Sequence, residues 1–139
     1  MTRRVVDASV AMKWIVNEPG SAAALRLRCE HRLLAPDLIF AECANVLWRK
    51  VRRDEITPAA LEIGARLLQN ADLELHSSRP LLTTATAMAG ELDHPAYDCF
   101  YLALALSYDC AFVTADTRFA QLLARRAGNW RRHVELLGD

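Results

Sequence analysis

The sequence predicts an α/β protein, a three-layer α/β/α sandwich with a mainly parallel central sheet covered by helices on both faces. Three observations carry that expectation. Short strand-like runs alternate with helical patterns, several connections are long enough for two helices, and 139 residues contain no internal repeat or linker. One domain over residues 1–139 accounts for that length.

The elements follow in order. RRVVDAS forms a short strand ending at Asp7, and the pattern from Val10 to Val16 is helical until NEPG stops it. A second helix spans about Ser21 to Arg32. LLAPDL supplies a brief strand and a Pro-Asp helix start, leading into a helix that runs to about Asp54. Thr57 is placed as an N-cap with Pro58 at the first helical position, so TPAALEIGARLLQN opens another helix. DLELHSS alternates as a strand. RPLLTTATAMAGEL and AYDCFYLALALSY are two helices separated by DHP, and CAFVTAD is a β-rich run ending at Asp116. TRFAQLLARRA is helical again, and HVELL is an edge strand. In such sheets ligands bind beyond the carboxyl ends of the strands, where Asp7 and Asp116 both fall.

Composition narrows the setting. The chain is 53% hydrophobic and 24% charged with five Gly and five Pro, which favours a chain folded throughout. Asp7 interrupts the N-terminal apolar run, and CFYLALALSY is too short to span a bilayer, so secretion and membrane spanning are disfavoured. Cys29, Cys43, Cys99 and Cys110 lack C-x-x-C spacing and fit reduced core thiols in a cytoplasmic protein. Formal charge is zero, so no global field announces a nucleic-acid partner. The basic clusters RKVRRDE and ARRAGNWRRH are explained as solvated helix ends that complement the helix dipole.

Four acids sit in apolar surroundings: Asp7 in VVDAS, Glu42 in FAECAN, Asp98 in AYDCFYLALA and Asp116 in VTADTRF. On the Glu42 helix, Glu42 and Asn45 share a face flanked by Leu38 and Arg49, whereas Ile39, Cys43, Val46 and Lys50 point elsewhere. Each acid has a separate structural explanation: Glu42 pairing with Arg49, Asp98 and Asp116 capping helices, Asp7 beginning a turn. Jointly they need a common one. Two carboxylates about 5 Å apart repel by roughly 3 kcal/mol at an effective dielectric of about 20. Four in a cluster would oppose folding by the order of 10 kcal/mol, comparable with a domain's whole stability. Protons or divalent cations must then relieve them. Hard oxygen donors without His or Cys neighbours suit Mg²⁺ or Mn²⁺, the chemistry of metal-assisted phosphodiester hydrolysis.

The segments VVDASVAMKW, APDLIFAECANVLWRKVRRDEI and AYDCFYLALALSYDCAFVTADTRF together resemble the PIN-domain nucleases, most closely the VapC toxins of bacterial toxin–antitoxin pairs. The resemblance runs from about Val5 to Phe119. It implies a PIN-like version of the sandwich and a Mg²⁺- or Mn²⁺-dependent ribonuclease. Asp7, Glu42, Asp98 and Asp116 match the family's acidic quartet, with Asp7 and Asp98 as inner-sphere ligands and Glu42 and Asp116 holding metal-bound water or a second ion. Ser9 and Thr114 match hydroxyl positions beside the quartet, and Asn45 an amide one turn after the glutamate. Lys13, Arg49 and Arg53 are candidate phosphate contacts. The resemblance also implies an RNA substrate, a small cognate antitoxin and a homodimer. Trp14 and the neighbouring Val10, Ile15 and Val16 are explained as core. A partly exposed set there would instead form an apolar surface around Trp14 and Ile15 that receives the antitoxin, with the acidic pocket receiving an arginine.

Other readings are weaker. A haloacid-dehalogenase-type phosphatase needs D-x-D where this chain has DAS, and a phospho-acceptor receiver needs an acceptor Asp that LELHSS lacks. A catalytically silent RNA- or partner-binding domain on the same fold is the remaining alternative, opposed by the complete quartet. His31, His76, His94 and His133 occur singly and are assigned no role.

Overall fold

A computed structural model describes residues 1–126 and 128–138. Five strands, β1 (Arg3–Val6), β2 (Arg32–Pro36), β3 (Glu74–His76), β4 (Ala111–Thr114) and β5 (Val134–Leu136), form one sheet in the order β3-β2-β1-β4-β5. Every pairing is parallel. The helices are α1 (Ala8–Ala11), α2 (Ser21–Glu30), α3 (Leu38–Arg52), α4 (Pro58–Gln69), α5 (Leu82–Leu92), α6 (Ala96–Ser107), α7 (Thr117–Arg126) and α8 (Gly128–Arg131). The chain steps outward from β1 through β2 to β3, then crosses back to lay β4 on the other side of β1. The order therefore reverses between β1 and β4, and a crevice opens beyond their carboxyl ends.

Alternation within the buried strands builds two cores. Val5, Leu34 and Phe112 face one side with Ile39 and Cys43 of α3, Met88 of α5, Leu102 of α6 and Phe119 of α7. Val6, Leu33 and Val113 face the other side with Val10 of α1 and Ala24 of α2. The expected covering of both faces is thus present. α6 is apolar nearly all round, with Cys99 and every residue from Tyr101 to Ala105 buried, as a helix enclosed by its neighbours must be.

Several boundaries differ from expectation for local reasons. The first helical segment starts at Ala8, because Asp7 accepts the Val10 N–H as its N-cap, and it continues as a 3-10 turn over Met12–Trp14. Arg32 belongs to β2, not to the preceding helix, since its N–H bonds to Thr2 O alongside β1. β4 stops at Thr114, two residues before Asp116. α8 was not foreseen, and Ala127, the last residue of the expected TRFAQLLARRA helix, lies outside the described residues. Thr57 caps α4 as expected, its hydroxyl accepting the Ala60 N–H, with Pro58 opening the helix. Among the described residues no helix is long and apolar enough to cross a membrane.

Candidate functional site

The crevice beyond β1 and β4 is a cleft of about 490 Å³ whose walls include Asp7, Glu42, Asp98 and Asp116. Four different elements deliver them: the end of β1, the second turn of α3, the first turn of α6 and the loop after β4. The separate structural roles also hold. Asp7 caps α1, Asp98 lies in the first turn of α6, and Asp116 accepts the Arg118 N–H at 3.0 Å as α7 begins. Capping and convergence are compatible, because helix N-termini attract carboxylates to the place where these helices point together.

Asp7 is 5% exposed. Its two oxygens are held separately, Oδ1 by the Ser9 hydroxyl at 2.5 Å and by the Val10 N–H at 3.2 Å, Oδ2 by the Thr114 hydroxyl at 2.5 Å. Ser9 Oγ accepts the Ala115 N–H, and Thr114 Oγ1 accepts the Asp116 N–H. The two hydroxyls therefore tie the end of β1 to the loop after β4 and fix Asp7 and Asp116 relative to each other. Glu42 accepts the Tyr101 hydroxyl, and Asp98 Oδ2 lies 2.7 Å from His94 Nε2 one turn earlier.

Burial, more than mutual repulsion, sets the electrostatics of the cleft acids. Burial pushes the Asp7 carboxyl up to about 6, with the Asp98 charge adding and the Ser9, Thr114 and Val10 hydrogen bonds opposing. Burial also raises Glu42, against the Tyr101 hydrogen bond and with Asp98 repulsion. Asp98 is raised by burial and by Asp116, against the pull of His94 and Arg118. Burial, then Glu42 and Asp7, push the nearby Cys43 thiol up to about 12, so it stays protonated.

Not every expected residue joins the cleft. Lys13 and Arg49 line it; Asn45 and Arg53 do not, and both are exposed. At about 100° per residue, Val46 and Lys50 lie about 40° and 80° to one side of Glu42, and Asn45 about 60° to the other. The cleft takes the first side, so Val46 and Lys50 line it, contrary to the expectation that they point elsewhere. Glu18, Tyr101 and Arg118 also line it without having been singled out. Arg118 was signalled by its place two residues after Asp116, and His94 by its place four residues before Asp98. Tyr101 resembled core, and Glu18 sits in a loop with no periodicity to betray it.

The apolar surface is also relocated. Trp14 and Ile15 pack against the core, with Trp14 Nε1 donating to Ala24 O at 2.9 Å and the Arg28 guanidinium over its ring. Exposed apolar side chains instead lie on α3 and α4, including Phe40, Trp48, Ile63 and Leu67. An apolar groove of about 380 Å³ there is lined by Phe40, Cys43, Ala44, Leu47, Ala65, Leu68 and Gln69.

The donor chemistry fits a small divalent cation, since the cleft offers carboxylates and hydroxyls and no thiolate. Among the described residues, no group of three or more His, Cys, Asp or Glu side chains is placed so that together they could hold a metal ion. Mg²⁺ does not require three protein ligands: it keeps several waters and binds through one or two carboxylates plus substrate phosphate.

A sheet with this switch point, bearing acids at the ends of β1 and β4 and on two flanking helices, matches the PIN domain family over residues 4–123. The chain belongs to that family. It is 34% identical over 124 residues to VapC ribonuclease Mb0985 of Mycobacterium bovis, covering 84% of this chain and 87% of that protein. Ribonuclease VapC1 of Mycobacterium tuberculosis is 35% identical over 127 residues, covering 86% and 90%. The crystal structure of PAE2754 from Pyrobaculum aerophilum superposes with a TM-score of 0.68 at 23% identity, over 91% of this chain and 81% of that one, a likeness of fold.

Proposed function

We propose that this chain is a divalent-metal-dependent endoribonuclease, the toxin of a toxin–antitoxin pair acting in the cytoplasm. The observation that carries the reading is four carboxylates from four elements facing one cleft at the topological switch point, in a chain similar to VapC ribonucleases. A bound Mg²⁺ or Mn²⁺ ion supplies Lewis-acid polarisation of the phosphate and lowers the pKa of water. Asp7 and Asp98 are assigned as its direct ligands, Asp7 being held rigid by Ser9 and Thr114 and Asp98 by His94. Glu42 and Asp116 orient the attacking water or hold a second ion. Tyr101 engages Glu42 Oε1, which leaves Oε2 to accept a proton from water. Lys13 and Arg49 contact the phosphate chain, and Arg118, with its side chain 87% exposed, can swing from Asp116 to a phosphate oxygen.

The partners in this reading are RNA, a small antitoxin and a second copy of the chain, since two-fold assembly is the commonest arrangement. α3 carries the apolar groove on one side and the acidic cleft on the other. An antitoxin segment with an amphipathic helix and a trailing arginine meets both chemistries by crossing α3. The decisive experiment sequences the ends of cellular RNA after brief expression, alongside cleavage of RNA in vitro with Mg²⁺ or Mn²⁺ titrated in. New 5′ ends at defined sites, dependent on the ion, are expected. Intact RNA in both assays defeats the nuclease reading and leaves a silent binding domain. Co-expression with the small neighbouring reading frame, followed by mass measurement, tests the partner and the dimer.

A further inference from the structure

Lys13 and Lys50 line the acidic cleft, yet among the described residues neither forms an ion pair with Asp7, Glu42, Asp98 or Asp116. Both turn to Glu18. Lys13 Nζ lies 3.2 Å from Glu18 Oε1 and Lys50 Nζ 3.6 Å from Oε2, so each carboxylate oxygen holds one ammonium. The lysine side chains are only 14% and 18% exposed, an unusual burial for residues that ordinarily extend into water. Their placement is enforced by the surrounding chain. Glu18 N–H donates to Ser21 Oγ and Ser21 Oγ donates to Val16 O, which locks the loop. Gly20 has φ +92°, and a Cβ there would come within 3.3 Å of Lys13 Cδ and Cε. A side chain at position 20 would therefore press on the Lys13 stem that glycine leaves in place.

We propose that Glu18 is a positioning residue that holds Lys13 and Lys50 as a two-pronged fork for a backbone phosphate of single-stranded RNA beside the scissile one. This rests on the nuclease reading for its substrate. Two ammonium groups share one carboxylate, leaving one net positive charge that adds to Arg49 and Arg118 in a cleft whose four acids repel a polyanion. An ammonium is a point charge with three donors, so each lysine can keep Glu18 and still donate to a phosphate oxygen. Without Glu18 the two long side chains would repel each other and spread into solvent, and binding would have to order them again.

Charge and position make opposite predictions for Glu18→Gln. The substitution adds one positive charge to the wall, so generic attraction predicts tighter RNA binding. The fork predicts weaker binding, by about fivefold, because alignment is lost. The measurement is the affinity of the full chain for a short fluorescent single-stranded RNA in EDTA across a salt series, with melting temperatures recorded for each variant. Lys13→Met and Lys50→Met should each lower affinity and reduce the slope of log affinity against log salt by about 0.7. Lys50→Arg, which keeps the charge, should retain the slope. With Mg²⁺ or Mn²⁺ present, Glu18→Gln should raise KM while kcat stays within about twofold. Tighter or unchanged RNA binding by a folded Glu18→Gln chain overturns the fork, as does an unchanged slope in a folded Lys50→Met chain. A wild-type chain that gives the expected binding series but cleaves no RNA supports the fork and defeats the nuclease reading.

Discussion

Tyr101 donates its hydroxyl to Glu42 Oε1 at 2.5 Å, joining the buried face of α6 to the cleft-facing side of α3. The ring is 1% exposed and stacked on Phe112 with centroids 5.5 Å apart, so the hydroxyl has little freedom to leave. Burial, then the Glu42 charge and hydrogen bond, hold the Tyr101 hydroxyl far above its ordinary value, so it remains a donor at every working pH. The bond in turn lowers Glu42 against burial and Asp98 repulsion, which raise it.

Tyr101→Phe keeps the stacking and removes only that donor. Glu42 should then hold its proton to higher pH, and cleavage should fall by about tenfold near neutrality, the order expected for one hydrogen bond to a charged group. The acid limb of the pH–rate profile should move to higher pH, with a smaller effect on the alkaline side. A profile that superimposes on wild type removes Glu42 from the chemistry.

Asp98→Asn preserves shape and keeps an acceptor for His94 Nε2, so the chain should fold. Ion-dependent cleavage should drop by about 100-fold or more, because a direct ligand loses its charge. Glu42→Gln should act in the same direction, less completely. Activity of Asp98→Asn within about twofold of wild type rejects the assignment of Asp98.

Much of this was legible because apolar periodicity and misplaced charge are local signals. The strands around Val5, Leu34 and Phe112 and the caps at Thr57 and Pro58 are encoded within a few residues of themselves. The four acids that line the cleft stood out for the same reason, each lying in apolar surroundings. What escaped depends on long-range placement. Whether Asn45 or Lys50 faces the cleft is decided by a rotation of α3 that α4 and α6 set, and no spacing within α3 reveals it. His94 is distinguished from the other single histidines by the Asp98 it meets across one turn and by Phe119, whose ring centroid is 5.0 Å away. The sequence left Trp14 open between core and a partner groove, because the residues that cover it, Ala24 and Arg28, come from the next helix.

Three turns that follow helices adopt positive φ at Asp54, Asp93 and Asp109, with φ of 56°, 51° and 48°. Glycine is the usual residue there, and aspartate tolerates the conformation at a smaller penalty than other side chains. Asp109 is exposed and away from the cleft, and among the described residues its carboxylate makes no hydrogen bond or ion pair. Asp109→Gly should stabilise the chain by about 0.5–1 kcal/mol, less what glycine adds to the unfolded state's entropy. Thermal unfolding measures it. A lower melting temperature would mean that Asp109 makes a compensating interaction.

The last prediction concerns Asp7, where stability and function oppose each other. Its carboxyl is raised from 3.8 to about 6, chiefly by burial. The folded state therefore keeps a proton that the unfolded chain releases. That contribution is fully present below pH 3.8 and is lost as pH rises through about 6. The loss is on the order of 3 kcal/mol. Glu42 and Asp98 are shifted in the same direction and reinforce it. Without divalent ions the wild-type melting temperature should fall across this window, and Mg²⁺ or Mn²⁺ should restore it above about pH 7, where the ion binds the folded state alone. Asp7→Asn removes the ionisation while leaving an oxygen for Ser9 and Val10. Thr114 Oγ1 must then turn and accept from the new amide, which its second lone pair permits. This variant should melt higher than ion-free wild type near pH 7.5, match it near pH 4, gain little from either ion and cleave no RNA. Differential scanning calorimetry over that pH range, with and without the ion, reads all four arms. A wild-type melting temperature indifferent to both pH and ion would show that Asp7 is not held in a dehydrated site in solution.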